Sequence, residues 1–152
     1  MSWRASAEQM KDDGKLQHPS DGKQWKRFDT MFPNEFCDEA RNVRFTLSTN
    51  GMNPFGDLIS SHTTWPVILT MYNLPPYIRQ KHKYLLLTMI ISGPRQLGND
   101  IDVFMEPLIE DMKILWEKGV NMMDASWKEY FTLKSIIFVS ITDYPGLFSL
   151  SG

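Results

Sequence analysis

Residues 42–50, NVRFTLSTN, carry the clearest structural signal in the chain, because apolar and polar side chains alternate along them. Val43, Phe45 and Leu47 lie on one side of an extended chain, and the residues between them lie on the other. This period of two predicts a β-strand with one apolar face against a core. Asn50 and Gly51 follow, and an Asn-Gly pair is a strong turn signal, so the strand is expected to end there.

Three further stretches predict strands. Residues 62–72 are rich in β-branched and aromatic side chains, and Pro66 within them requires an edge position or a bulge. Residues 84–92, YLLLTMIIS, are apolar on both faces, which predicts a strand covered on both faces. Residues 136–142, IIFVSIT, predict a buried central strand that ends at Asp143.

The first predicted helix runs from Asp21 to Met31, with Ser20 as its N-cap and Pro33 as the residue that ends it. Aromatic side chains recur along it at spacings of three and four, which predicts one buried face. These aromatic residues are Trp25, Phe28 and Phe32.

A second helix is predicted over residues 102–118, with Gly119 as the residue that terminates it. Pro107 should bend this helix or mark its true start. Residues 122–125 and 130–133 predict two short paired segments after it. The expected apolar stripe of the helix consists of Phe104, Leu108, Met112 and Leu115.

The order of these elements predicts an α/β fold with a mixed sheet. Three strands with short links can form an antiparallel meander, and the crossover helix allows the fourth strand to lie parallel to the first. Pairing the first and fourth strands would place Asn50 near Asp143. Residues 1–41 are interpreted as an N-terminal helical arm, and residues 42–152 as the sheet domain.

Composition narrows the functional classes. The chain has 152 residues and a net charge of −2, so bulk charge does not favour nucleic-acid binding. The single cysteine, Cys37, excludes an internal disulfide framework and suits the nucleus or cytosol. The longest mainly apolar run, residues 84–91, is far shorter than the roughly 20 residues of a membrane span. No membrane partner is therefore expected.

Two places could carry chemistry, although spacing alone favours an ordinary turn at both. Asp143 sits at the carboxyl end of an apolar strand, where ligands of open α/β sheets gather, but acids are also common in turns. The block from Asn50 to Phe55 closes the first strand and equally fits a plain turn. The basic patch at residues 79–83 could contact phosphates, but it fits better as a solvated link between strands. The three histidines have no metal-ligand spacing.

A series of short blocks, in order along nearly the whole chain, resembles the central transposase domain of CACTA (En/Spm) elements of plants. The blocks include His18-Pro19-Ser20-Asp21-Gly22, Asn50-Gly51-Met52-Asn53-Pro54-Phe55, Tyr72-Asn73-Leu74-Pro75-Pro76 and Thr142-Asp143-Tyr144-Pro145. The resemblance implies an RNase H-like fold, with residues 42–152 as a partial domain that stops before the last strand and helices. It also implies a nuclear protein that acts on DNA, or otherwise a cytoplasmic one.

The resemblance further implies an acidic triad that binds Mg²⁺ for phosphoryl transfer between DNA strands. The family's first acid falls at the position of Asn50, its second at Asp143, and its third well downstream. Asn50 is an amide, and the sequence ends soon after Asp143. Asp143 is then the one remaining metal ligand. We therefore expect a transposase fragment that binds no Mg²⁺ productively and is catalytically inactive, with a co-opted DNA- or protein-binding module as the alternative.

Overall fold

The computed structural model describes residues 18–52, 63–93 and 101–142, and these form a sheet flanked by helices. The described α-helices are α1 (Lys23–Met31), α2 (Pro76–Arg79) and α3 (Ile101–Glu117). The described strands are β1 (Val43–Thr49), β2 (Thr63–Met71), β3 (Leu85–Gly93), β4 (Val120–Asp124), β5 (Glu129–Leu133) and β6 (Ser135–Thr142).

The sheet topology follows the sequence prediction. Strands are ordered β3-β2-β1-β6, with β1 antiparallel to β2 and parallel to β6. The crossover between β3 and β6 contains α3 and a separate two-stranded hairpin of β4 and β5. The prediction of a mixed α/β sheet with a parallel first and last strand is thus confirmed. The predicted domain boundary at residue 41 stays a prediction.

One face of the sheet packs on α3 and forms the main core. The inward side chains of β1, β2 and β3 meet an apolar stripe of the helix, and this burial supplies the main stabilisation of the fold. The core residues are Phe45, Leu47, Trp65, Val67, Leu69, Ile91, Ile101, Met105, Leu108 and Met112.

The predicted stripe of α3 is partly wrong. Phe104 is 45% exposed, whereas Met105 is 3% exposed and belongs to the core. The helix begins at Ile101, and a stripe that includes this residue continues through Met105 rather than Phe104. Pro107 lies inside α3 on its exposed side, so it does not mark the start of the helix.

The opposite face of the sheet is covered in part by α1 and by a π-helical turn at Pro33–Cys37. Trp25 and Phe28 of α1 are buried, as predicted. The N-cap of α1 is Gly22, and Ser20 instead belongs to a 3₁₀ turn whose cap is His18. The prediction of Ser20 as the helix cap is therefore wrong.

Two predictions about strand burial are also wrong. Leu87 and Ile90 of β3 are both 57% exposed, because β3 is an edge strand and α1 does not reach over its outer face. Among the described strands, β6 is the other edge strand rather than a central one. An apolar run indicates a strand that can be buried, but neighbouring elements decide whether it is covered.

Pro66 lies in a strand with partners on both sides, so the edge alternative for this residue is wrong. The bulge alternative is not met at Pro66 itself, since the ladder between β2 and β3 shifts register after it, between Val67 and Ile68. The regular pairing of β2 with β1 ends at Thr49–Val67. Thr64, two residues before Pro66, then pairs with Met52 through an isolated bridge. The missing N–H of proline therefore falls in a gap of the pairing with β1.

Candidate functional site

The parallel pair of β1 and β6 defines the candidate site at one edge of the sheet. The final pair in their ladder is Thr49–Thr142, so both strands end level with each other. Asn50, the next residue after β1, is exposed. Asp143, the next residue after β6, lies outside the described residues. The proximity of Asn50 to Asp143 therefore remains a prediction, although the register supports it.

The chain does not reverse direction at Asn50 and Gly51. Met52 still pairs with Thr64, through two hydrogen bonds of 2.9 and 2.8 Å between their backbones. The prediction that the first strand ends at Asn50 agrees with β1, which ends at Thr49. The plain turn predicted for the Asn50 to Phe55 block stays a prediction, because residues 53–55 lie outside the described residues. Gly51 instead passes close to the indole ring of Trp65, where a Cβ would come within 2.8 Å of the ring. Trp65 thus fixes the backbone beside Asn50.

A buried charged cluster lies on the α1 face of the sheet, and sequence reasoning did not anticipate it. Arg44 of β1 is only 2% exposed and forms an ion pair with Asp29 of α1. Its guanidinium carbon lies 4.1 Å from the ring centre of Trp25 and 5.0 Å from that of Phe28. The thiol of Cys37 donates a hydrogen bond of 3.2 Å to Asp29. This cluster joins α1 to β1 and sets the second layer of the fold.

A cavity of about 480 Å³ opens beside the same cluster. It lies between the start of α1, the segment after β2, and β6. Arg79 lines it, with its guanidinium carbon 4.9 Å from the ring centre of Tyr72. The predicted solvated link is confirmed for residues 81–83, which are exposed, but Arg79 is partly buried.

The sequence of this chain matches the model of a known protein family. The family model described as Transposase family tnp2 matches residues 13–152. This chain belongs to the tnp2 transposase family. No curated protein and no solved structure matches it. The transposase part of the sequence resemblance is thereby confirmed, and membership of a transposase family suggests DNA as a partner.

Position 50, at the sheet edge of this chain, carries a side chain that is a poor ligand for a divalent cation. Mg²⁺ prefers anionic carboxylate oxygens, whereas Asn50 supplies one neutral amide oxygen. Within the described ranges, no group of three or more His, Cys, Asp or Glu side chains could hold a metal ion. Asp143 lies outside those ranges, so its predicted role as a ligand stays a prediction.

Several of the described acidic side chains stabilise the structure at the end of β1 opposite the candidate site. Arg41, which precedes β1, donates hydrogen bonds to Glu39, Asp124 and Glu129 at distances between 2.7 and 3.3 Å. Hydrogen bonds from the backbone N–H groups of Ser126 and Trp127 lower the pKa of Asp124, and Arg41 adds to the effect. These carboxylates tie the hairpin of β4 and β5 to the sheet.

His18 of the tnp2 chain also has a structural role. Its Nε2 lies 3.1 Å from the carbonyl oxygen of Asn73, and its Nδ1 accepts a hydrogen bond of 3.1 Å from the backbone of Ser20. Burial lowers the pKa of His18 below its ordinary value of 6.5.

Among the described helices, none has the length and apolar character needed to cross a membrane.

Proposed function

We propose that this chain is a transposase-family domain of the RNase H-like type whose metal-binding edge has lost an acid and no longer catalyses phosphoryl transfer. The observation that carries the proposal is the register of the parallel pair. Because Thr49 pairs with Thr142, positions 50 and 143 each begin the segment that leaves the same edge of the sheet. An acid at each position could share a cation, and here position 50 is an amide.

The difference between a carboxylate and an amide side chain explains the expected loss of Mg²⁺ binding. A carboxylate offers two anionic oxygens, and an amide offers one neutral oxygen. Substituting groups that only orient a metal ligand typically costs about 10–100-fold in affinity or activity, and the loss of a direct ligand should cost more. Asn50 at this edge is therefore expected to abolish productive binding of Mg²⁺, the cation that intact relatives are expected to use.

The assignment to the CACTA (En/Spm) elements rests on the sequence blocks that resemble them. The blocks from Asn50 to Phe55 and from Thr142 to Pro145 support placement among the CACTA (En/Spm) elements of plants. A nuclear location and DNA as the partner follow from that placement. The RNase H-like assignment is supported by an antiparallel meander whose first strand also pairs in parallel with the strand after the crossover.

Binding of Mn²⁺, measured by electron paramagnetic resonance, tests the lost acid. We expect Asn50→Asp to tighten Mn²⁺ binding by roughly tenfold or more, because it restores an anionic ligand beside Asp143. The matched control is Asn50→Asp combined with Asp143→Asn, which should return binding to the level of the unmodified chain. Unmodified protein that binds Mn²⁺ as tightly as Asn50→Asp, or a gain that survives Asp143→Asn, would contradict the proposal.

A second candidate function is a non-catalytic module that keeps this fold to bind DNA or a protein. The cavity beside Arg79 favours it, because this cavity contains cationic groups away from the sheet edge that lost its acid. Binding to DNA that weakens with added salt, without cleavage in Mg²⁺, is the expected result. No binding at low salt would exclude the DNA form of this candidate.

A further inference from the structure

We propose that the cavity beside Arg79, here called the Arg79 cleft, binds the phosphate group of a nucleotide. The Arg79 cleft is lined by the polar side chains of Lys23, Gln24 and Arg79, and by an apolar wall of Trp25, Tyr72 and Phe138. Asn50 is not among the described residues that line it, and the inference does not rest on the proposed loss of metal binding.

Arg79 supplies the first argument. Its Nη1 atom is buried, and no described group accepts a hydrogen bond from it. A guanidinium carries its charge at all ordinary pH values, and a buried charged donor without an acceptor is costly. The ring of Tyr72 holds the guanidinium from one side, and because the residue is only partly buried, its accessible N–H groups are left for a ligand in the cleft that it lines. An oxygen anion in the cleft would accept hydrogen bonds from these accessible groups.

The start of α1 supplies a second, independent set of donors. Gly22 is the N-cap of this nine-residue helix and has no side chain to accept hydrogen bonds from the first turn. Residues 22–25 all line the cleft. The backbone N–H groups and the positive end of the helix dipole at such a terminus favour an anion. Lys23 adds an exposed ammonium group at the same place.

The charged side chains that line the cleft are cationic. Among its described lining residues there is no carboxylate. Asp21 is next to the cleft in sequence, but its side chain accepts a 2.8 Å hydrogen bond from the backbone of His18. Lys23 and Arg79 are the charged side chains of the lining, and His18, which also lines the cleft, has a pKa lowered by burial; this lining favours an anionic ligand such as phosphate.

The size and apolar wall of the cleft indicate that the phosphate carries an organic group. A volume of about 480 Å³ exceeds what one phosphate ion fills and lies in the usual range of small-molecule sites. Tyr72 and Phe138 are partly exposed aromatic residues on that wall, and aromatic side chains pack well against nucleobases. A nucleoside phosphate combines both requirements. It could be a free nucleotide or part of a single DNA strand.

The test uses the full chain and three probes: inorganic phosphate, deoxythymidine monophosphate, and a short single-stranded thymidine oligonucleotide. Binding is measured by calorimetry at low salt. We expect Arg79→Gln to weaken binding of deoxythymidine monophosphate by roughly tenfold, and Lys23→Gln by a few-fold. Lys26→Gln is the matched control, since Lys26 is an exposed lysine of α1 that does not line the cleft, and it should bind as the unmodified chain does.

The three probes distinguish a DNA strand from a free nucleotide as the source of the phosphate. Oligonucleotide binding that is tighter than mononucleotide binding and is weakened by Arg79→Gln supports the cleft with a DNA strand as the source. Mononucleotide binding alone, with the same loss, supports it with a free nucleotide as the source. Two results would overturn the inference: no binding of any probe at millimolar concentration, or equal binding by Arg79→Gln and the unmodified chain. Thermal unfolding of Arg79→Gln shows whether the variant is folded. Should it be unfolded, Lys23→Gln against Lys26→Gln decides alone.

Discussion

A Cβ atom placed on Gly51 would lie 2.8 Å from Cζ2 of Trp65. Real Cβ atoms do not approach other atoms so closely, and the Trp65 ring is buried and cannot swing away into solvent. The φ angle of Gly51 lies outside the left-handed region, so close approach, and not backbone conformation, requires glycine here. Trp65 of β2 thereby holds the backbone of the residue next to Asn50.

This contact predicts that Gly51→Ala destabilises the fold. Forcing a methyl group into a packed site typically costs about 1–3 kcal/mol, and we expect a loss of that size in urea unfolding. The Trp65→Leu background provides the control, because removal of the indole should make Gly51→Ala nearly neutral there. An equal cost of Gly51→Ala in both backgrounds would show that the Trp65 ring is not the cause.

The pair of Arg44 and Asp29 predicts an asymmetry between two substitutions. Asp29→Asn removes the carboxylate that pairs with the buried guanidinium of Arg44; because Asp29 is partly exposed, we expect a loss below the roughly 3–5 kcal/mol of a fully buried pair. Arg44→Met should cost less, because Asp29 is partly exposed and can be solvated while methionine fills the space between the aromatic rings. Both values come from chemical denaturation. A larger loss for Arg44→Met would mean that cation–π contacts outweigh the ion pair.

Sequence patterns predicted the sheet better than its coverings. Alternation in β1 revealed the strand and its core face, because side chains of a strand alternate strictly between faces. The same alternation placed Arg44 on the other face, but it could not show that α1 covers that face. Burial of Arg44 depends on contacts with Trp25 and Asp29, which are distant in sequence.

The sequence predicted the location of the candidate site but not all of its surroundings. Parallel pairing of β1 with β6, inferred from the crossover helix, fixes the edge where both strands end. The Asn50-Gly51 pair correctly indicated the end of β1, which ends at Thr49, but it did not indicate the bridge between Met52 and Thr64 that continues the pairing. Nothing in the sequence indicated the ring of Trp65 as the neighbour of Gly51, because such a contact depends on strand register.

His18 predicts a pH dependence of stability. Burial lowers the pKa of His18 in the folded chain below 6.5, so the unfolded chain binds the proton more readily. This contribution to stability is complete above pH 6.5 and is lost as pH falls towards the folded pKa. Protonation of Nδ1 would also break the hydrogen bond from Ser20. We expect the melting temperature to fall between pH 7.5 and pH 5.5.

His18→Gln is the matched variant for this measurement, because glutamine does not titrate in this range and the other groups that do are unchanged. The difference in melting temperature between the two proteins should depend on pH, with the advantage of the unmodified chain shrinking as the solution becomes acidic. A constant difference across the range would show that His18 does not lose stability by protonation.

The proximity of positions 50 and 143 is the claim on which the proposed loss of catalysis depends, and a disulfide measures it most directly. Asn50→Cys and Asp143→Cys are combined with Cys37→Ser, which removes the only native cysteine. A disulfide requires Cα atoms about 4.4–6.8 Å apart, which neighbouring strand ends provide. The control pair is Asn50→Cys with Glu129→Cys, because Glu129 contacts Arg41 at the opposite end of β1. We predict rapid oxidation of the 50–143 pair under mild oxidant, detected by mass spectrometry, and none of the control. Equal or slower oxidation of the 50–143 pair would contradict the proposed site.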